Sequence, residues 1–441
     1  MALRNLFRRT AEPAPPRARA NPEQLKRFEA ALVQRVIEHF VELGEVPSER
    51  PSILAVIQTC MNRLPIEFVD MPDDEVGVVR TRIADLMVTW GPLAPLMMDP
   101  EVSQITVNAH DKIFVEHEGT KREWSLHFNS DRQLRQTVEQ LILLNPGKRL
   151  DATSPLVDLA LPDSTRVNIV VPPAVFDGPH LTVRRYLPNY TRLSSFADSG
   201  SLDQRMVRFL EGCVKTGQSL LLCGASGAGK TSLMDALINE IDPNERIIAI
   251  EDTPELHITK PDVVRLLARA NNVEGRGEIT IADLFRNALR MRPDRILLGE
   301  IRGSEALDYL QALNAGNRGS LAIIHADSPR EALLRMAHLV AMAGQNIPSE
   351  VTREQLVDGI DFVVQLRHMV DGSRKVTQIT EVTRSNEKGE IELRDVFQYV
   401  IGDRVEDALV GRHQATGHIP AAQRAFELAG LGISPEIYKA D

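Results

Sequence analysis

The run Ser219-Leu220-Leu221-Leu222-Cys223-Gly224-Ala225-Ser226-Gly227-Ala228-Gly229-Lys230-Thr231 decides the fold. Its apolar first half reads as a buried strand, its centre matches G-x-x-x-x-G-K-T, and Leu233, Leu237 and Ile241 mark a helix behind it. Strand, glycine-rich turn and helix in that order make a P-loop. Gly224, Gly227 and Gly229 let backbone N–H groups converge where a side chain would block a polyphosphate. The helix start adds free amides and a positive dipole end. Lys230 can reach the β- and γ-phosphates, and the Thr231 hydroxyl suits a Mg²⁺ that keeps most of its waters. Ser226, Ala228 and Ser232 complete the nucleotide-binding loop.

Outward from this loop, strand patterns at Ile247–Glu251, Val263–Leu266, Ile296–Leu298 and Leu321–Ile324 alternate with helical patterns at Thr280–Met291, Glu305–Leu313 and from Ser328 onward. This alternation predicts a parallel sheet covered on both faces. Phe362–Leu366, Asp371-Gly372 and Lys375–Val382 then predict an antiparallel hairpin. Ahead of the loop the pattern mixes short strands with helices and predicts a smaller α+β domain. The expected organisation is a basic, proline-broken arm over 1–20, a helical module over 21–75, an α+β domain over 76–188 and a linker over 189–200. An α/β ATPase domain follows over 201–397, with a mostly helical extension over 398–441. Ser201-x-x-Gln204 and Thr280-x-x-Asp283 read as helix starts.

The bulk composition narrows the classes further. The chain has 441 residues and a formal net charge of −10, which argues against a general nucleic-acid binder. Cys60, Cys213 and Cys223 form no C-x-x-C pair, so neither a zinc knuckle nor a disulfide framework is expected. No apolar run approaches the roughly 20 residues that span a bilayer. The segment MALRNLFRRT lacks the apolar core of a secretory signal. A reducing, cytoplasmic setting fits best.

A parallel α/β sheet presents its chemistry at the carboxyl ends of its strands. Glu251-Asp252 (with Glu255 close behind), Glu300 and His325 stand at such ends. Hydrolysis needs a carboxylate to orient or deprotonate water and groups that sense the γ-phosphate. Gly299 holds the position where an Asp commonly handles Mg²⁺, so Glu300 serves alone or shares the work with Glu251. The general base stays open between these two. Arg265 and Arg269 follow the first acidic pair, where arginines supplied across a subunit boundary could act.

These motifs resemble the hexameric type II/IV secretion and pilus ATPases, and most closely the CpaF-type motor of tight-adherence (Tad, Flp) pili. The resemblance rests on Ile250-Glu251-Asp252-Thr253, Asn272-Val273-Glu274-Gly275, and Asn287 to Arg295 leading into Gly299-Glu300-x-Arg302-Gly303. It includes Gly319-Ser320 with Ile324-His325-Ala326, and runs from about Trp90-Gly91-Pro92-Leu93 to Ala415-Thr416-Gly417. It implies a RecA-like P-loop core in a cytoplasmic homo-hexamer at the inner membrane, with ATP and Mg²⁺ as ligands. The implied partner is an inner-membrane pilus platform protein, and no specific nucleic acid is implied. By the match, Lys230 and Thr231 hold phosphate and Mg²⁺, Glu251 and Glu300 serve metal and hydrolysis, and His325 senses the γ-phosphate. Arg265 and Arg269 resemble the arginine box, while Arg166, Arg184 and Arg185 resemble the N-domain arginines that reach the nucleotide. The chain departs from the family at Gly316-Asn317-Arg318-Gly319-Ser320, where a histidine is common at position 317, and at Leu267, where relatives often carry Glu. The four-cysteine insertion of the type II secretion branch is missing. A motor of a conjugative type IV or a type II secretion system and a nucleotide-gated scaffold with little turnover are the competing readings.

Overall fold

The computed structural model describes residues 22–43, 46–47, 49–65, 68, 71–117, 120–145, 147–161, 163, 165–185, 192–269, 271, 276–344, 347–384, 390–405 and 408–440. The chain forms two units, Met1–Leu187 and Pro188–Asp441. The arm over 1–20, the motif residues 272–275 and the turn residues 162 and 164 lie outside the described residues.

In the first unit, helices α1 (Pro22–Leu43), α2 (Arg50–Met61), α3 (Asp73–Trp90) and α4 (Ala94–Met98) precede strands β1 (Val102–Ala109), β2 (Lys112–His117) and β3 (Thr120–Glu123). Helix α5 (Asp131–Leu143) is followed by β4 (Leu156–Ala160), β5 (Arg166–Val170) and β6 (His180–Arg184). The strands make one antiparallel sheet in the order β3-β2-β1-β6-β5-β4. Phe28, Leu32, Val36 and Phe40 recur at helical spacing, so α1 buries all four on one face. They share a continuous core with Ile53, Trp90, Ile105, Val167 and Val183. Helices α1 and α2 thus bury their apolar faces in the same core as the sheet that follows. Strand β3 has no sequence signal, since all four of its residues are exposed.

In the second unit, α6 (Leu193–Asp198) and α7 (Gln204–Lys215) lead to β7 (Leu220–Cys223) and α8 (Lys230–Asn239). Next come β8 (Ile247–Glu251), β9 (Val263–Leu267), α9 (Ile281–Ala288), β10 (Arg295–Leu298), α10 (Glu305–Asn314) and β11 (Leu321–Ile324). Then follow α11 (Pro329–Met342), α12 (Ser349–Gly359), β12 (Phe362–His368), β13 (Arg374–Arg384), β14 (Ile391–Val405), β15 (Ala408–Ala415) and α13 (Ala422–Leu428). Strands β12-β7-β11-β10-β8-β9 run parallel, and β13, β14 and β15 extend the sheet antiparallel from β12. With β11 between β7 and β10, the order is the RecA-like one that the resemblance implies.

The central strands are buried on both faces, and their alternation separates two cores. Leu220, Leu222, Ala249, Leu297 and Ile323 join the core under α7 and α8. Leu221, Cys223, Ile248, Ile250, Leu298 and Ile324 join the one under α9 to α12. Three expectations are corrected. The region over 398–441 begins with strands β14 and β15 rather than helices. Strand β14 pairs with β13 and β15 with β14, so the region continues the sheet as successive antiparallel strands. The linker contains α6, and α7 is capped by Asp203, whose side chain accepts from Met206 N, rather than by Ser201. The capping box at Thr280 and Asp283 forms as the spacing predicts. Among the described residues no helix is long and apolar enough to cross a membrane.

Candidate active site

The β7–α8 turn is held open by glycine geometry. Gly224, Gly227 and Gly229 have φ of 151°, 76° and 95°, a region L side chains rarely adopt. A Cβ on Gly224 would lie 2.3 Å from the Leu366 carbonyl oxygen, so β12 closes on the loop at a distance only glycine permits. Gly229 caps α8, and Lys230 is its first residue. The Lys230 ammonium is buried and donates to the Gly224 and Ala225 carbonyls at 2.8 and 2.7 Å, with His325 Nδ1 at 3.5 Å. None of these three partners carries a negative charge. Burial lowers the Lys230 pKa, and the Glu300 charge opposes that shift. A buried cation, a ring of glycine amides and a helix start together fit a polyphosphate. Ser226 is exposed, Ala228 is buried and Ser232 is half-buried around this turn.

Thr231 Oγ1 donates to Glu255 Oε2 at 2.9 Å. Hydroxyl and carboxylate side by side are hard oxygen donors that fit a hydrated Mg²⁺, and among the described residues no cluster of three or more His, Cys, Asp or Glu could cage a metal.

The two acidic strand ends differ. Glu251 at the end of β8 is 2% exposed, and Oε1 accepts from the Glu255 and Leu256 amides at 2.7 and 2.8 Å. Its Oε2 accepts from Arg265 Nη2 at 3.1 Å. Both oxygens of Glu251 are thus committed to its own chain, and burial holds the carboxyl above its usual range despite these donors. Glu300, just beyond β10, has Oε1 at 3.2 Å from His325 Nε2 and Oε2 at 2.7 Å from Arg302 Nη2. Burial would raise its pKa, but Arg302, His325 and Lys230 outweigh it and the carboxyl lies below its ordinary value. Burial, then Lys230, lowers the His325 pKa, with Glu300 opposing. Lys230, Glu300 and His325 therefore converge from the ends of β7, β10 and β11.

The remaining candidates are placed as follows. Arg265 lies on β9 and holds Glu251, whereas exposed Arg269 donates through Nε to Gly277 O at 2.7 Å. Arg166 and Arg184 face each other in register on β5 and β6 of the first unit. Arg185 donates to the Leu96 and Asp99 carbonyls, the former at 3.0 Å, which ties α4 to the start of β1; burial lowers its pKa. Asn317 sits ahead of β11, at the opposite end of that strand from His325, and donates to Ala312 O at 3.2 Å. Residues the sequence left without a role also gather here: Glu255 on Thr231, Arg302 on Glu300, and Arg374 Nε on Gly227 O at 2.9 Å. Motif position pointed to the first two. Nothing local pointed to Arg374, which β13 delivers from far along the chain.

The Type II/IV secretion system protein family matches residues 88–419. A Mycobacterium tuberculosis (strain H37Rv) protein named for conjugal transfer, Rv3659c, is 34% identical over 295 residues, covering 66% of this chain and 83% of its own length. Protein VirB11 of Agrobacterium fabrum is 32% identical over 316 residues, covering 64% of this chain and 89% of its own. The solved VirB11 ATPase of the Brucella suis type IV secretion system is similar at 28% identity, with 70% of this chain and 97% of that one covered and a TM-score of 0.37. With its P-loop, strand-end acids and histidine in place, the chain belongs to the type II/IV secretion system protein family and is an ATPase.

Proposed function

We propose that the chain is a hexameric motor whose ATP hydrolysis powers assembly of tight-adherence (Tad, Flp) pili, and their retraction by the same ring. It would act at the cytoplasmic face of the inner membrane through a platform protein there. The observation that carries the catalytic reading is the convergence of Lys230, Glu300 and His325 from three neighbouring strands, with 3.5 Å between lysine and histidine and 3.2 Å between histidine and glutamate. Lys230 binds the β- and γ-phosphates, and Glu300 orients the attacking water and takes its proton. His325 holds Glu300 and reports the γ-phosphate. Glu251, both oxygens committed, clamps the segment that presents Glu255 to Thr231. Thr231 and Glu255 are the residues that would hold a Mg²⁺, which would supply positive charge to the phosphates.

The pilus assignment is supported by the motif set and by a cysteine count of three, too few for a four-cysteine insertion. A conjugative type IV secretion motor is the second reading, favoured by the names of the conjugal-transfer and VirB11 relatives. Solution mass and steady-state ATP hydrolysis of the native chain and Glu300→Gln test the motor. A six-fold assembly whose turnover collapses in the variant is expected; negligible turnover in both supports the scaffold instead. Binding to a pilus platform protein rather than to a secretion coupling ATPase separates the two cargoes.

A further inference from the structure

Arg302 spans two strand ends. Strands β8 and β10 pair Ile250 with Leu298, and Gly299 N donates to Ile250 O at 2.9 Å. Asp252 and Glu300 thus stand two residues beyond that pair, on neighbouring loops. The Arg302 guanidinium joins them, with Nη2 at 2.7 Å from Glu300 Oε2 and Nη1 at 3.0 Å from Asp252 Oδ2. Its backbone is fixed independently of its head. Arg302 N and Gly303 N donate to one oxygen of the buried Glu305 at 2.6 and 2.7 Å, and Ile301 N donates to Ile323 O at 2.8 Å. A root anchored this way spares the guanidinium much of the entropy cost of holding two carboxylates.

The consequence falls on Glu300. With Oε2 held by Arg302, the carboxylate plane is set and Oε1 is left facing His325 Nε2 at 3.2 Å. Without the guanidinium, Glu300 is held through one oxygen by His325 and its carboxylate can rotate about that contact, and a general base misplaced by about an ångström loses most of its effect. We propose that Arg302 is a positioning residue for hydrolysis, fixing the Glu300 carboxylate and locking its loop to that of Asp252. This rests on the reading of Glu300 as the water-orienting carboxylate. The Arg302 side chain is 57% exposed, so its removal leaves no cavity and little stability is lost.

The test uses the full chain and its Arg302→Gln, Arg302→Lys and Glu300→Gln variants. ATP turnover, binding of a fluorescent ATP analogue and melting temperature are measured for each. Arg302→Gln is expected to lower kcat by about 10- to 100-fold while KM for ATP changes less than about threefold, the mark of an interaction used in the transition state. Analogue binding stays near native and Tm moves by no more than about 2 °C. Arg302→Lys, able to meet one carboxylate but not to fork across both, is expected to recover part of the lost kcat. A kcat within about threefold of native in Arg302→Gln overturns the inference, as does a loss confined to KM or a lysine variant as slow as the glutamine one. If Glu300→Gln itself turns over normally, the reading of Glu300 falls instead. If Glu300→Gln is silent and Arg302→Gln is native-like, only the role of Arg302 falls.

Discussion

Glu300 Oε1 and His325 Nε2 face each other at 3.2 Å across the ends of β10 and β11, and His325 Nδ1 turns toward the Lys230 ammonium at 3.5 Å. One imidazole thus stands between the P-loop lysine Lys230 and the strand-end acid Glu300. Arg302, His325 and Lys230 outweigh burial and hold the carboxyl below its ordinary value, while burial and then Lys230 hold the imidazole below its own.

The two glutamates should separate in experiment. Glu300→Gln is expected to lower kcat by about 10²–10⁴-fold with nucleotide binding retained, since only the proton acceptor is lost. Glu251→Gln should also show a lower Tm, because its carboxylate organises two backbone amides and Arg265. Steady-state kinetics with thermal melts of both variants check this; an equal kinetic loss with unchanged Tm in both would return Glu251 to a direct role.

Glycine substitutions in the loop should be graded by space. At Gly227 an added Cβ meets nothing within 4 Å, so Gly227→Ala carries only the left-handed backbone strain, about 1–2 kcal/mol. At Gly224 the Cβ would fall 2.3 Å from Leu366 O, so Gly224→Ala must push β12 from the loop. Gly224→Ala is expected to melt lower than Gly227→Ala and to lose binding of ATP analogues, as followed by calorimetry.

Acidification should destabilise the fold through His325. Burial and Lys230 place its folded pKa below the ordinary 6.5, so between those two values the unfolded chain binds more protons. Stability from this group is present above 6.5 and is lost as pH falls through the folded pKa. Native Tm should fall as pH drops below 6.5, and the fall should shrink in His325→Gln. His413, also lowered chiefly by burial, keeps its own contribution.

Arg265 and Arg269 should part in the same way. Arg265→Gln removes a donor from buried Glu251 and should lower Tm by about 2–6 °C. Arg269, exposed and tied to a single carbonyl, should leave Tm near native. If Arg269 acts across a subunit boundary, its glutamine variant loses turnover only at concentrations where the native ring assembles. Turnover per subunit of the native chain should itself rise with protein concentration through assembly.

Much of the second unit was legible in the sequence, for local reasons. Leu220–Cys223, Ile247–Glu251 and Leu321–Ile324 are short apolar runs bounded by turn residues, and a strand buried on both faces needs no other signal. The P-loop was legible because glycine spacing, lysine and threonine are all chemical necessities within one turn. Thr280 and Asp283 predicted a helix start because a capping box closes within three residues.

What the sequence determined by itself was therefore whatever is decided over one strand or one helical turn: the nucleotide loop, the parallel strands, and the acids and histidine at their ends. The tertiary structure decided what depends on partners far apart in the chain. It placed α1 and α2 in the core of the first unit and brought Arg374 to Gly227. It also distinguished the two glutamates. Glu251 and Glu300 are the same residue type at equivalent strand ends, but Glu251 is buried with two backbone amides and Arg265 on its oxygens, whereas Glu300 is less buried and meets the side chains of Arg302 and His325. Burial and hydrogen-bond partners, which no local pattern encodes, set that difference.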